Sequence, residues 1–253
     1  MKALLLAAGL GTRLRPLTET TPKCLVPIQG KPLMAYWLDL LLPKYVTQVL
    51  VNTHYLPQAV QDFIQASRWR QAVTLVHEEA LLGTGGTVLK NRAFLEDGPF
   101  LLAHADNLTR FDVPAFLAAH ARRPPGVELT MMTFDTDTPQ SCGIVEQDAE
   151  GRVVAFHEKV ANPPGTRANA AVYVMEPSVI PFLASFGKEI IDLSTEVLPH
   201  YLGKMQTFHN ADYHRDIGTL ESLRLAEMEF TLPSSSRHAL SRDPVPLKAL
   251  DAS

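Results

Sequence analysis

The sequence is poor in cysteine, lacks a long apolar run and has no excess of positive charge. Its 253 residues include only Cys24 and Cys142, which lie far apart, so neither a disulfide framework nor a zinc site is expected. No apolar run approaches the roughly 18 residues that a membrane-spanning helix needs. The formal net charge of -4 and the pI of about 6.1 leave no basic excess to neutralise a nucleic-acid backbone. We therefore expect no membrane and no nucleic-acid partner.

The N-terminus also lacks a recognisable signal peptide. Met1-Lys2 is followed by a short apolar run that ends at a glycine-rich turn without a small-residue cleavage site. The nine histidines form neither an HExxH motif nor a tight cluster, so we expect them to be structural or solvated. Together these absences favour a cytoplasmic protein.

Composition and periodicity predict an α/β fold. With 46% hydrophobic residues the chain can bury a full core, and one main domain is expected. Short apolar runs, typical of strands buried on both faces of a parallel sheet, alternate with stretches of helical period. This alternation predicts a Rossmann-like, mostly parallel sheet with helices on both faces and a ligand at the carboxyl ends of its strands. The predicted strands are residues 2–7, 46–51, 73–76 and 100–103, and the predicted helices are residues 33–42, 57–66 and 86–94.

The pattern changes after Asp106. Four predicted strands follow with short connections, which suggests antiparallel additions to the parallel core. Periodicity is lost beyond Phe230, so residues 231–253 are predicted to form a weakly ordered tail. The later predicted strands are residues 127–134, 143–147, 153–158 and 170–175, and the later predicted helices are residues 177–184, 193–202 and 219–230.

The strongest motif is the glycine-rich turn after the first strand. It reads LAAGLGTRLRPLT over residues 6–18 and is followed by TPKCLVP over residues 21–27. Gly9 and Gly11 let the backbone approach a ligand closely and point N–H groups into an anion site. Arg13 offers a planar fork of donors and Lys23 a point charge, which together suit a polyphosphate.

Two familiar phosphate-binding motifs can be excluded at this turn. A dinucleotide fingerprint would need a third glycine where Leu14 stands, and an acidic residue about 20 positions further on, where Gln29 and Lys31 lie. A P-loop would need Gly-Lys-Ser/Thr after four spacer residues, which is absent. Taken alone, a single Gly-x-Gly pair would favour a tight strand-to-helix turn with solvated cations.

The whole span, however, resembles the signature of the sugar-1-phosphate nucleotidylyltransferases, G-x-G-T-R-L-x-P-L-T followed by P-K-x-L-x-P. One departure is Ala8, where many relatives have glycine. The matching positions are Gly9, Gly11, Thr12, Arg13, Leu14, Pro16, Leu17, Thr18, Pro22, Lys23, Leu25 and Pro27.

The resemblance implies a nucleotide-diphospho-sugar transferase fold and a reaction. A nucleoside monophosphate would pass from a nucleoside triphosphate to a sugar 1-phosphate, with release of pyrophosphate. Residues 1–110 would form the nucleotide-binding half and residues 111–230 the sugar-phosphate half. Arg13 would hold the triphosphate and the leaving pyrophosphate, and Lys23 the phosphates near the transferred group. The other nucleotide-binding positions would be Leu6, Ala8, Gly9, Gly11 and Thr12.

A second glycine cluster, EALLGTGG over residues 79–86, matches the family's base-recognition region. The resemblance nominates Glu79, Gly83 and Thr84 as base-reading residues. Without it, a purely structural loop with a helix cap would be as well supported as a base-recognition segment. The L-G-T-G-G form is more similar to the guanylyl- and uridylyl-transferring branches than to the thymidylyl one.

Two aspartates are candidate metal ligands. Asp106 ends a predicted buried strand, where an open α/β sheet would hold a cation, and it matches the family's metal-binding aspartate. Ala105 stands beside it where glycine is usual. Asp216 lies in a segment that resembles the family's D-x-G-T. Mg²⁺ prefers one or two carboxylates with phosphate oxygens and water, although either aspartate alone would more often be a cap or turn residue.

Acceptor residues follow from three further matches. The segment FHEK, residues 156–159, resembles F-x-E-K-P, in which Glu158 would hold sugar hydroxyls and Lys159 the sugar phosphate. The segment ANAAVY, residues 168–173, resembles N-A-G-x-Y, with Asn169 as a sugar contact and Ala171 where glycine is usual. Gly143 completes the set. From the residues alone, Glu158 and Lys159 would be an exposed pair at a strand end.

These matches favour a guanylyltransferase that uses GTP, Mg²⁺ and a mannose or manno-heptose 1-phosphate. Uridylyl transfer to a glucose or amino-sugar 1-phosphate is the rival enzyme activity. A catalytically silent nucleotide-sugar-binding subunit is the rival from another class. The expected partners are the two small substrates, and dimerisation is left open.

Overall fold

The structure, a computed structural model, describes residues 1–230, in which the chain forms thirteen strands and seven α-helices. The tail predicted for residues 231–253 lies outside the described residues. The strands are β1 (Lys2–Leu6), β2 (Pro27–Ile28), β3 (Lys31–Pro32), β4 (Gln48–Thr53), β5 (Val73–His77), β6 (Phe100–His104), β7 (Asn107–Arg110), β8 (Leu129–Asp135), β9 (Gly143–Gln147), β10 (Val153–Glu158), β11 (Arg167–Met175), β12 (Met205–His209) and β13 (Tyr213–Asp216). The helices are α1 (Leu33–Leu41), α2 (Pro57–Ala66), α3 (Gly83–Lys90), α4 (Arg92–Leu95), α5 (Val113–Ala121), α6 (Val179–Ala184) and α7 (Leu220–Glu229).

A nine-stranded sheet runs through both halves of the described chain. Its order is β10-β9-β11-β6-β1-β4-β5, and β8 lies between β11 and β12. Strands β6, β1, β4 and β5 are mutually parallel, whereas β11 is antiparallel to β6, β8 and β9. The predicted fold class, a parallel core with antiparallel additions, is therefore confirmed.

Helices cover the sheet on both faces because alternate side chains of each strand point to opposite sides. Ala3 and Leu5 of β1 pack in a cluster with side chains of α1, α2 and α5. Leu4 and Leu6 pack in a second cluster with side chains of α3, α4 and α6. Each fully buried large apolar side chain contributes about 1.5–3 kcal/mol. No helix of residues 1–230 has the length and apolar character needed to cross a bilayer.

A third, smaller cluster joins the glycine-rich turn to β7, β13 and α7. It includes Leu14, Val26, Leu108 and Ile217, each of which lies one to three positions after a charged candidate residue. Ala226, on the buried face of α7, also belongs to this cluster. The backbone around Arg13, Lys23, Asp106 and Asp216 is therefore anchored by apolar neighbours.

Two predicted helices differ in form. The helix expected at residues 86–94 is divided into α3 and α4 at Asn91, whose side chain donates to the Thr87 carbonyl at 2.8 Å and competes with the helical backbone. The helix expected at residues 193–202 is a π-helix over Leu193–Val197 and a 3₁₀-helix over Leu198–Tyr201. Pro199 has no N–H to bond the Thr195 carbonyl, so an α-helix cannot continue there.

Helix α5 and the strands β2, β3, β7, β12 and β13 have no counterpart among the predicted elements. The start of α5 did carry a signal, since Asp112 accepts a hydrogen bond from the Ala115 N–H at 2.9 Å and Pro114 lies in the first turn. The short strands β7 and β13 carry polar side chains and form a separate two-stranded ribbon. Such short polar runs have no strand period to detect.

Candidate active site

Lys23, Asp106 and Asp216 converge although they are far apart in the sequence. The ammonium nitrogen of Lys23 donates to Asp106 Oδ2 at 2.7 Å and to Asp216 Oδ1 at 3.1 Å. Lys23 is buried, with 8% of its surface exposed, whereas Asp216 is exposed. One ammonium therefore links two carboxylates at the edge of the sheet.

The sheet explains this convergence. Strands β1 and β6 are parallel neighbours, so the glycine-rich turn after Leu6 and the aspartate after His104 leave the same edge. The Ala105 N–H donates to the Leu6 carbonyl at 2.9 Å. Asp216 is brought in by β13, where it pairs with Asn107. Asp106 and Asp216 are thus placed by backbone hydrogen bonds.

Attraction between these charges outweighs their burial. Burial alone would lower the pKa of Lys23, but the Asp106 and Asp216 carboxylates more than compensate and raise that pKa. Burial alone would raise the pKa of Asp106, but the Lys23 ammonium reverses the effect and lowers it. Lys23 is therefore protonated and Asp106 ionised at neutral pH.

The carboxylate pair fits a hard divalent cation. Mg²⁺ takes oxygen ligands and commonly uses one or two carboxylates, with substrate phosphates and water completing its octahedron. Asp106 and Asp216 supply that number, and both contact one ammonium, so their oxygens are close enough to share a cation. Within residues 1–230 there is no group of three or more His, Cys, Asp or Glu side chains suited to a metal. A site here would depend on ligands from the substrate.

Arg13 extends the cluster toward solvent. Its Nη2 lies 3.9 Å from Asp216 Oδ2, and its side chain is largely exposed. Gly218, which the sequence reasoning did not single out, explains how the two can meet. A Cβ at Gly218 would lie 2.7 Å from Asp216 Oδ2 and 2.8 Å from Arg13 Nη2. Glycine at position 218 therefore leaves room for these two side-chain ends, which a Cβ would displace.

The glycine-rich turn presents free donors. Gly11 adopts a φ of 64°, and a Cβ there would lie 3.0 Å from the Thr18 methyl group, so glycine is required. Gly9 and Thr12 are exposed, while Ala8 is buried, as Leu6 is at the end of β1. Among the described residues no acceptor engages the N–H groups of Gly9 and Gly11. These groups are available to an anion.

The second glycine cluster packs against the segment that precedes the π-helix. A Cβ at Gly83 would lie 2.5 Å from the Ile191 carbonyl oxygen, and Thr84 Oγ1 accepts a hydrogen bond from the Leu193 N–H at 2.8 Å. Glu79 is exposed, whereas its neighbour Glu78 is buried. These contacts alone explain why glycine stands at position 83 and threonine at position 84. Recognition of the base by Glu79, Gly83 and Thr84 stays a prediction.

Three of the four acceptor candidates lie on β9, β10 and β11, and Lys159 directly follows β10. Gly143 pairs with Glu158, and a Cβ at Gly143 would lie 2.7 Å from Glu158 Oε2. Lys159 Nζ lies 3.3 Å from Glu158 Oε1. Asn169 is on neighbouring β11, where its Nδ2 donates to the Tyr173 hydroxyl at 2.6 Å. Glycine at position 143 therefore lets the Glu158 carboxylate lie against the backbone.

Asn107 connects these candidates to the carboxylate cluster. It directly follows Asp106, and its Nδ2 donates to the Ala170 carbonyl, next to Asn169, at 3.2 Å. Its own carbonyl accepts from the Trp37 indole at 2.8 Å. Asn107 is thus a buried residue that connects the charged cluster to β11, the strand that carries the candidate Asn169. Asn107 itself was not among the predicted residues.

Ala171 has the conformation that favours glycine. Its φ is 53°, at the point where the register of β11 against β8 shifts between Asn169 and Tyr173. An alanine in the left-handed region costs roughly 1–2 kcal/mol. This strain explains why the similar family motif has glycine at the same place.

Replacement of Ala171 by glycine is expected to stabilise the protein. Release of the strain should exceed the entropic cost of the added glycine, so the free energy of unfolding should rise by about 0.5–1 kcal/mol and the melting temperature by about 2–4 °C. Thermal denaturation measures both. Ala170→Gly, at a neighbouring buried position with ordinary φ, should lower the melting temperature, and an equal loss in both variants would contradict the strain.

Comparison with known proteins decides the family. The family model described as Nucleotidyl transferase matches residues 2–232. The chain belongs to this nucleotidyl transferase family.

Its relatives in this family carry different specificities. The mannose-1-phosphate guanylyltransferase of Mycobacterium tuberculosis is 33% identical over 224 residues, covering 87% of this chain and 61% of the relative. The UTP–glucose-1-phosphate uridylyltransferase of Synechocystis sp. is 30% identical over 235 residues, covering 86% of this chain and 60% of the relative. The chain thus spans about three fifths of the length of these two relatives.

A solved structure has the same fold. A crystal structure from Bacillus anthracis, assigned as a glucose-1-phosphate thymidylyltransferase and holding sucrose, superposes with a TM-score of 0.80 at 19% identity. The match covers 98% of each chain. At this identity the likeness shows the fold alone, which is the nucleotide-diphospho-sugar transferase fold expected from the sequence.

Proposed function

We propose that this nucleotidyl transferase moves a nucleoside monophosphate from a nucleoside triphosphate to a sugar 1-phosphate. The observation that carries the proposal is the contact of Lys23 with both Asp106 and Asp216 beside a glycine-rich turn with free N–H groups. Cations and backbone donors of this kind bind phosphates. Two relatives, at 33% and 30% identity, are named for reactions of this class.

The reaction needs no nucleophile from the protein. An oxygen of the sugar 1-phosphate attacks the α-phosphorus in line, the bond from that phosphorus to the bridging oxygen breaks, and pyrophosphate leaves. Arg13 and Lys23 neutralise charge on the phosphates, and the glycine-rich turn holds them in position. Glu158, Lys159, Gly143 and Asn169 bind and orient the acceptor.

Magnesium is the cofactor that we propose. Asp106 and Asp216 would hold it, with phosphate oxygens as further ligands. When bound, the ion supplies neutralisation of phosphate charge. Lys23 contacts the same two carboxylates, so its ammonium keeps them close together before substrates arrive.

For the base and the sugar we propose GTP and a mannose or manno-heptose 1-phosphate. The guanylyltransferase of Mycobacterium tuberculosis supports this choice at 33% identity, while the uridylyltransferase at 30% supports the rival. The intact Arg13, Lys23, Asp106 and Asp216 disfavour a catalytically silent subunit.

Pyrophosphate release tests these alternatives together. Four nucleoside triphosphates are paired with mannose, manno-heptose, glucose and amino-sugar 1-phosphates in the presence of Mg²⁺. We expect the highest kcat/KM with GTP and a manno-configured acceptor. A preference for UTP and a glucose-type acceptor would overturn the proposed specificity, and no release from any pair would overturn the activity.

Gly218 offers a steric test of the Arg13 position. Alanine at this site should push the ends of Arg13 and Asp216 apart without straining the backbone, since the φ of Gly218 is not in the left-handed region. We expect kcat/KM to fall roughly 10- to 100-fold while the melting temperature stays within about 2 °C.

Gly165→Ala is the matched control for this variant. Apart from the two adjacent residues, no atom of residues 1–230 lies within 4 Å of a Cβ at Gly165, so the activity and stability of this variant should stay close to those of the wild type. Equal activity of the two alanine variants would show that the space at Gly218 does not serve the reaction.

A further inference from the structure

We propose that Asn52 is a positioning residue that fixes the glycine-rich turn for the triphosphate. The role rests on the proposed function, because it concerns how the turn is held for a nucleotide. Asn52 is not part of any motif that the sequence singled out. It lies in β4, where it pairs with Leu6 of β1 on one side and Val76 of β5 on the other.

The Asn52 side chain bonds the first peptide of the turn. Its Oδ1 accepts a hydrogen bond from the Ala7 N–H at 2.7 Å. Asn52 is itself buried, with 3% of its surface exposed. Ala7 is the residue at which the chain leaves β1, and the orientation of its peptide directs the chain toward Gly9 and Gly11.

A buried glutamate fixes the orientation of the Asn52 amide. Nδ2 of Asn52 donates to Glu78 Oε1 at 3.0 Å, and Glu78 is only 1% exposed. A buried carboxylate without hydrogen-bond donors is costly. Because Glu78 requires the amide nitrogen, the amide oxygen must face Ala7.

The same carboxylate reaches the second glycine cluster. Glu78 Oε1 also accepts from Thr87 Oγ1 at 2.7 Å, and that hydroxyl lies 3.0 Å from the Gly83 carbonyl oxygen. A continuous chain of polar contacts, buried at Asn52, Glu78 and Thr87, therefore joins Ala7 of the glycine-rich turn to Gly83, the first residue of α3. The network fixes the position of the glycine-rich turn relative to the second glycine cluster. Within the network, Asn52 is the residue that contacts the glycine-rich turn, where we propose that the phosphates bind.

The two ends of the network can be tested separately. Asn52→Ala removes the acceptor for Ala7, whereas Thr87→Val removes a donor to Glu78 and leaves Ala7 untouched. Both should lower the melting temperature. Asn52→Ala should weaken binding of the preferred triphosphate, measured by calorimetry with a non-hydrolysable analogue, by about tenfold, the equivalent of one misplaced hydrogen bond, and Thr87→Val should weaken it clearly less because the Ala7 N–H keeps its acceptor. The KM of Asn52→Ala for the triphosphate should rise by a similar factor, with a smaller change in kcat.

A polarity exchange provides the rescue. Asn52→Asp alone keeps the acceptor for the Ala7 N–H but places a second carboxylate against that of Glu78. The two carboxylates repel each other, so binding of the triphosphate should weaken. In the double variant Asn52→Asp with Glu78→Gln, the glutamine amide nitrogen takes the place of Glu78 Oε1, where it can donate to the aspartate and to Thr87 Oγ1, and the Thr87 hydroxyl can still donate to the Gly83 carbonyl. Triphosphate binding should return to within about threefold of the wild type, because the hydrogen-bond pattern is restored.

Two outcomes would overturn this role. Asn52→Ala and Thr87→Val could bind the analogue equally well at similar melting temperatures, or the double variant could bind no better than Asn52→Asp; either result assigns Asn52 to stability alone. A wild-type protein that binds none of the four triphosphates would instead overturn the proposed function, and the positioning role with it.

Discussion

Replacement of Lys23 by alanine is expected to lower kcat roughly 100- to 1,000-fold in the pyrophosphate-release assay. The loss of one fixed donor to developing charge has an effect of that size in other enzymes. The fold should survive, since Asp106 and Asp216 both keep contact with solvent, their side chains being 29% and 56% exposed. In the variant these two carboxylates face each other without the ammonium, so added Mg²⁺ should raise its melting temperature.

Arg15→Ala is the matched control for Lys23→Ala. Arg15 is a cation of the same turn, it is exposed, and it forms no ion pair with the described part of the chain. Its activity should stay near that of the wild type. Near-normal pyrophosphate release by Lys23→Ala, or an equal loss in both variants, would contradict a specific role for the lysine.

The second large effect is expected for Asp106→Asn. The substitution keeps the size of the side chain but replaces the charged carboxylate of the proposed Mg²⁺ ligand with a neutral amide, so kcat/KM should fall by about 100-fold or more at fixed Mg²⁺. The Mg²⁺ concentration that gives half-maximal rate should also rise. A titration of the rate with MgCl₂ measures both quantities.

Asp97→Asn controls for the loss of one negative charge. Asp97 is exposed and pairs at 2.6 Å with Lys2, at the opposite end of β1 and β6 from Asp106, so the Mg²⁺ dependence of this variant should equal that of the wild type. Full activity of the wild-type protein in excess chelator would contradict a metal at Asp106 and Asp216.

The sheet and its helices could be predicted from local pattern because burial dictates them. Strand β1 is apolar on both faces, and alternate residues of it belong to two separate apolar clusters. Helix α2 was predicted with its observed bounds, since Val60 and Ile64 recur at helical spacing and Pro57 starts the helix. The left-handed backbone at position 11 explains equally directly why glycine stands there.

The assembly of the site could not be predicted from local pattern. Asp216 reaches Lys23 through the pairing of β13 with β7, a register set by contacts between distant segments. Family resemblance supplied both aspartates, but it gave no reason for Gly218. The burial of Glu78 instead of Glu79 depends on which side of the sheet each side chain faces at the end of β5. The sequence alone does not indicate which of these two adjacent glutamates is buried.

The most direct test of the central claim is a crystal structure with Mg²⁺ and a non-hydrolysable GTP analogue. The account predicts that the triphosphate lies on the N–H groups of Gly9 and Gly11. Arg13 and Lys23 should then contact the oxygens of the triphosphate. The metal should lie between these phosphate oxygens and the carboxylates of Asp106 and Asp216. A nucleotide bound elsewhere, with the Arg13 and Lys23 side chains directed away from its phosphates, would contradict it.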